Sequence, residues 1–148
     1  MSVIEQGAGL MPGIAASPVI SVETVITSAE LLALHNTPQT VIPNPGPSRM
    51  VVIDGVLAYK PAGTAYGGIA SSEDLDFRYI NASGALIAQV ETTGFLDQAG
   101  VELRWATGPT GTIEPRRGVV VVSLSGAITT GTSPLHLRCY YRVLDTAF

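Results

Sequence analysis

Along most of the chain, apolar and polar side chains alternate with a period of two. Leu75, Phe77 and Tyr79 alternate with Asp74, Asp76 and Arg78. Val101, Leu103 and Trp105 alternate with Glu102 and Arg104, and Leu135, Leu137, Cys139, Tyr141 and Val143 with His136, Arg138, Tyr140, Arg142 and Leu144. This pattern predicts strands with one face buried. Residues 50–59 and 119–124 are apolar on both faces, which predicts central strands or strands held between two layers. Turn clusters separate these runs, among them Asn44-Pro45-Gly46-Pro47, Thr107-Gly108-Pro109-Thr110-Gly111 and Thr130-Gly131-Thr132-Ser133-Pro134. Asn81-Ala82-Ser83-Gly84 predicts a hairpin joining 75–80 to 86–91. One segment breaks the pattern. Thr27-Ser28-Ala29-Glu30 is a capping box, with Ile26 and Leu31 placed as a hydrophobic staple, so a two-turn helix should run to His35 and stop at Asn36, ahead of Pro38. A helix that short cannot stand alone and must pack as a lid or corner.

Seven or eight short strands punctuated at short intervals predict an all-β fold, a β-sandwich or small barrel. The expectation is a jelly-roll-like sandwich of about eight strands with one short helix and an extended N-terminal arm. The arm is placed at residues 1–24 and the sandwich domain at 25–148. Residues 19–26 already have strand character, whereas residues 1–18 carry Gly7, Gly9, Pro12, Gly13 and Pro18, which forbid a continuous element. Val3, Ile4, Leu10, Met11 and Ile14 make that stretch too apolar for an ordinary solvated tail. Two readings stand: a frayed terminus, or an arm that orders on a neighbouring subunit.

Composition sharpens the second reading. Of 148 residues 46% are apolar and 14% charged, with a net charge of −4; soluble domains average about 25% charged residues. No run approaches the roughly 18 apolar residues of a spanning helix, and the first residues lack the basic start of an export signal. Membrane insertion is therefore not expected, and the acidic balance argues against nucleic acid as partner. The apolar excess is read as surface meant to be covered by other chains.

Candidate chemistry is sparse. Phosphate-loop and nucleophile-elbow motifs are missing, and residues 63–68 read as an exposed glycine-rich loop. His35 is expected to meet the last carbonyls of its own helix. His136 and Cys139 fall on opposite faces of one strand, so a joint metal or nucleophile site is not expected and Cys139 reads as a buried, inert thiol. Glu73, Asp74 and Asp76 lack the further ligands of a calcium loop and read as a solvated or ion-paired face, with Asp76 pairing to Arg78, Arg138 or Arg142. Arg116-Arg117 reads as a solvated doublet or a pair of interface partners. Alternation separates Trp105 from Glu102, so no exposed aromatic platform for a glycan is expected. Tyr140, sharing a face with Arg138 and Arg142, reads as an interface tyrosine or a partly covered edge residue. No catalytic, metal or cofactor residue is assigned, and the chain is expected not to be an enzyme.

The segments ITSAELLALHNTPQTVIPNPG (26–46), RMVVIDGVLAYKPAGTAYGG (49–68) and LHLRCYYRVLD (135–145) resemble small structural proteins from the head-gene regions of tailed bacteriophages. These include jelly-roll or β-sandwich cement (decoration) proteins that trimerise on the capsid exterior. The resemblance spans about residues 25–145 and excludes the first eighteen. It implies a structural virion protein that binds the outer head surface as a homotrimer and bridges major capsid proteins. Its place would be the capsid exterior, reached through the host cytoplasm during assembly. Similar modules occur in phage fibres, so the alternative is a host-recognition module binding a cell-surface glycan or protein. The expected interface residues are Val3, Ile4, Leu10, Met11, Ile14, Arg138, Tyr140 and Arg142.

Overall fold

The computed structural model describes residues 18–69, 74–109, 112–123 and 126–147. Eight strands and one helix follow in the order β1 (Ile20–Ile26), α1 (Ser28–Ala33), β2 (Gln39–Ile42), β3 (Arg49–Lys60), β4 (Asp74–Tyr79), β5 (Leu86–Glu91), β6 (Glu102–Thr107), β7 (Val119–Ser123) and β8 (Leu135–Asp145). They form two four-stranded antiparallel sheets, β1-β8-β3-β6 (sheet A) and β2-β7-β4-β5 (sheet B). The first strand pairs with the last, the second with the seventh, the third with the sixth and the fourth with the fifth. The chain is thus one long antiparallel ribbon rolled into two layers, which is the jelly-roll arrangement. The β1 strand begins at Ile20, so residues 20–24 belong to the sheet and the sandwich starts ahead of the expected boundary at residue 25.

Strands β3 and β7, apolar on both faces in sequence, are interior members of their sheets, as expected. The core lies between the layers: Val51, Ile53, Val56, Ala58, Leu137 and Cys139 from sheet A meet Leu75, Phe77, Tyr79, Val119 and Val121 from sheet B. The Tyr79 hydroxyl crosses the interior to donate to the Val51 carbonyl at 2.8 Å, satisfying two buried polar groups at once.

The capping box forms as the sequence predicts. Thr27 Oγ1 accepts from the Glu30 amide at 3.2 Å, and Glu30 Oε2 accepts from the Thr27 amide at 2.9 Å. Ile26 and Leu31 are both buried, which fixes the angle at which the chain turns from β1 into α1. The helix is shorter than expected, ending at Ala33, and His35 does not cap it. Its Nδ1 instead meets the Ser123 carbonyl of β7 at 2.9 Å, tying the end of the helix to sheet B. The 63–68 loop is not simply exposed either: Tyr66 is buried, its hydroxyl donates to the Ser133 carbonyl, and Gly67 bridges to Thr129.

Candidate functional site

The outer face of sheet A is built by the residues of β1, β8, β3 and β6 that point away from the core. Strand register sets them in rows: Trp105, Leu57, Arg138 and Glu23; then Leu103, Tyr59, His136 and Val25; then Thr107, Gly55, Tyr140 and Ser21. Val25, Leu103 and Trp105 are 47%, 54% and 55% exposed, unusual values for large apolar side chains grouped on one sheet face.

The apolar side of β6 was expected to face the core, and it faces outward. The reason lies in the connection before it. Phe95 and Leu96 of that connection are fully buried, so the inner side of β6 meets this loop and polar contacts around it. Arg104 lies over the Phe95 ring at 5.3 Å, donates to the Gly94 carbonyl and pairs with Glu102 at 3.1 Å. Glu102 stands opposite Lys60, whose side chain is shut off from solvent and donates to the Gly100 carbonyl at 2.9 Å. Burial lowers the Lys60 pKa, and the Glu102 carboxylate opposes that shift. With these charges satisfied beneath β6, Leu103 and Trp105 are left on the outside.

An aromatic platform therefore exists where none was expected. The Trp105 ring lies across Gly55, where any Cβ would overlap the indole, and reaches Tyr140 with ring centroids 5.8 Å apart and planes tilted by 53°. Tyr59 and His136 form a second tilted pair at 5.6 Å. Between the pairs lies a depression of about 240 Å³ lined by Glu23, Leu57, Tyr59, Leu103, His136 and Arg138. Its charges are internally matched. Arg138 Nη2 stands 3.5 Å from Glu23 Oε2 and His136 Nδ1 stands 3.9 Å from the same oxygen. Farther along β8, Arg142 grips Asp54, the extra residue of a bulge in β3, at 2.8 Å.

Of the expected interface residues, Arg138, Tyr140 and Arg142 share this face; Val3, Ile4, Leu10, Met11 and Ile14 lie outside the described residues. Sequence reasoning missed Val25, Leu103, Trp105 and Tyr59. The signal available was that Trp105 alternates with charges needing partners of their own. Asp76 is nearly buried and pairs with Arg78 at 2.8 Å while accepting from Gln89 at 2.8 Å; Arg138 and Arg142 belong to the other sheet and cannot reach it. Glu73 lies outside the described residues. His136 points out and Cys139 in, and burial pushes the Cys139 thiol up to about 12, where it is protonated and inert at neutral pH.

Among the described residues no group of three His, Cys, Asp or Glu side chains could hold a metal ion, and no helix is long and apolar enough to cross a membrane. The outer face of sheet A offers contact area, aromatic edges and paired charges. In comparison with known proteins, no family model, no curated protein and no solved structure matches this chain.

Proposed function

We propose that this chain is a structural, non-catalytic virion protein. It decorates the outside of a phage head as a homotrimer and stabilises the shell by bridging major capsid proteins. The observation that carries the reading is the open outer face of sheet A, where Val25, Leu103 and Trp105 stand about half exposed in a chain with only 14% charged residues. Such a face is costly in water and is relieved by covering it with protein. The phage-head resemblance of residues 25–145 names the setting, and the mechanism is mechanical: buried area joins neighbours so that they part less readily under load.

Light scattering coupled to size exclusion should give a trimer mass for the full chain. Added to emptied capsids of its own phage, the protein should bind at fixed stoichiometry and raise their disruption temperature. A monomer that leaves capsids unchanged overturns the proposal.

One observation favours a second reading, a host-recognition module. Trp105 and Tyr140 beside a depression edged by Glu23, His136 and Arg138 combine a stacking surface with hydrogen-bonding groups, as a glycan site requires. Binding of the full chain to a glycan array, lost on Trp105→Ala and without effect on capsids, would select this reading over the first.

A further inference from the structure

Seven arginines serve this chain, and the structure sorts them into two classes. Arg78, Arg104, Arg138 and Arg142 each have a carboxylate within 3.5 Å. Arg49, Arg116 and Arg117 have none within 4 Å among the described residues, and all three meet at one corner, where β3 begins and β8 ends. The Arg116 amide donates to the Arg49 carbonyl at 2.7 Å, and Pro115 bridges to Met50. Met50, Pro115, Arg116, Arg117 and Thr146 line a groove of about 730 Å³. Two neighbouring acids each accept a backbone amide and stand more than 4 Å from these three guanidiniums. Asp145, opposite Arg49 in the register, accepts from the Ala147 amide, and Glu114 accepts from the Ala85 amide.

The backbone at this corner is held in an unusual form. Three of the four non-glycine residues with positive φ among the described residues surround it: Ser48 at 56°, Ile80 at 69° and Arg116 at 62°. Ile80 faces a second depression that shares Arg117. Side chains rarely adopt this region, and a β-branched residue there is a clear outlier. The corner is clamped in place: the Asn44 side-chain amide donates to the Arg116 carbonyl at 2.7 Å, the Ile80 amide to the Gly118 carbonyl at 3.0 Å and the Thr146 amide to the Ser48 carbonyl at 2.8 Å. Strain fixed by its surroundings is a recurrent mark of binding sites.

We infer that this corner is a docking site for an acidic, partly apolar segment of a partner protein. Arg116 and Arg117 line the groove, Arg49 begins the strand beside it, and guanidiniums match carboxylates through charge-assisted, paired hydrogen bonds. The Met50 and Pro115 floor accepts the apolar side chains between them. In a chain of net charge −4, Arg116 and Arg117, with no carboxylate partner among the described residues, give this groove an attraction for an anionic segment. Two guanidiniums beside Met50 and Pro115 lack the basic stripe that follows a nucleic-acid backbone. The inference does not depend on what covers sheet A.

The test is a fluorescence-anisotropy titration of the full chain with a labelled short peptide alternating aspartate and leucine. Arg116→Gly with Arg117→Gln removes two guanidiniums and leaves position 116 a residue suited to its φ. Arg138→Gln with Arg142→Gln removes the same net charge from the outer face of sheet A. Binding should weaken roughly tenfold in the first double variant and hardly change in the second. It should also weaken as salt rises. Equal loss in both variants, failure of the peptide to bind, or tighter binding of oligothymidine than of the peptide would each overturn the inference.

Discussion

Trp105 can lie flat across the next strand because Gly55 has no side chain. The strand register makes the two diagonal neighbours, and the missing Cβ leaves a seat for the indole between Leu57 and Tyr140. Gly55→Val should lift the ring from that seat. As Trp105 is the sole tryptophan, its emission and its quenching by acrylamide report the change directly. A red shift with stronger quenching is expected, with a loss of about 1–3 kcal/mol in urea unfolding from crowding at a buried backbone position. An unchanged emission maximum would show that the glycine has no such role. The period of two alone places His136 and Cys139 on opposite faces, whereas the meeting of Gly55 with Trp105 depends on a register between distant strands that the sequence does not display.

Ionisation of buried groups gives a second prediction at this scale. Burial raises the Cys139 thiol to about 12 and also raises the Tyr66 and Tyr79 hydroxyls. Above the ordinary thiol pKa of about 8.5 the unfolded chain loses a proton that the folded chain keeps, so folded stability must fall as pH rises. The decline steepens above about pH 10, where unfolded tyrosines ionise too, at about 1.4 kcal/mol per pH unit for each group. Lys60, with a lowered pKa, acts in the opposite direction over part of this range. Urea unfolding between about pH 8 and pH 11 should show the fall, and Cys139→Ala should make its first part shallower. A flat profile would contradict the assigned burial.

At the level of elements, local chemistry was readable wherever a single segment decides the outcome. The Thr27–Glu30 capping box is an example, since every atom in it lies within four residues. Thr27→Ala should lower stability by about 1 kcal/mol, and Thr27→Ser should recover most of that, measured by denaturant midpoints at constant slope. No change in Thr27→Ala would mean that packing of Leu31 and Leu34 alone holds the helix. The direction of a strand was not readable in the same way. Alternation gives the period of β6 but not which side meets the core, and that choice was made by Phe95 and Leu96 filling the space beneath it. The ion pair of Asp54 was hidden for a related reason: the bulge in β3 shifts the pairing with β8 between Ile53 and Gly55. His35 likewise found a carbonyl on β7, far along the chain, rather than those of its own helix.

For the whole molecule, the count and spacing of strands carried the fold class, while the nested pairing of first with last and fourth with fifth came only from the structure. That pairing brings β1 and β6, far apart in sequence, to the two edges of one sheet and so gathers Val25, Leu103 and Trp105 onto one face. The same topology separates two kinds of energy. Side chains between the sheets hold the monomer together, and side chains outside sheet A contribute little to it. Leu103→Asp combined with Trp105→Asp should therefore leave the thermal midpoint of the dissociated chain close to its starting value, because exposed substitutions usually change stability by about 0.5 kcal/mol or less. The same pair should reduce a scattering mass of several chains to that of one. Phe77→Ala, fully buried between the sheets, should do the reverse, lowering folding stability by about 3–5 kcal/mol while the molecules that remain folded still associate. If the outward pair lowered stability as much as Phe77→Ala, the face would be part of the fold rather than a surface for partners. If it left an oligomer intact, the copies would be joined elsewhere and the open face would be free for another protein.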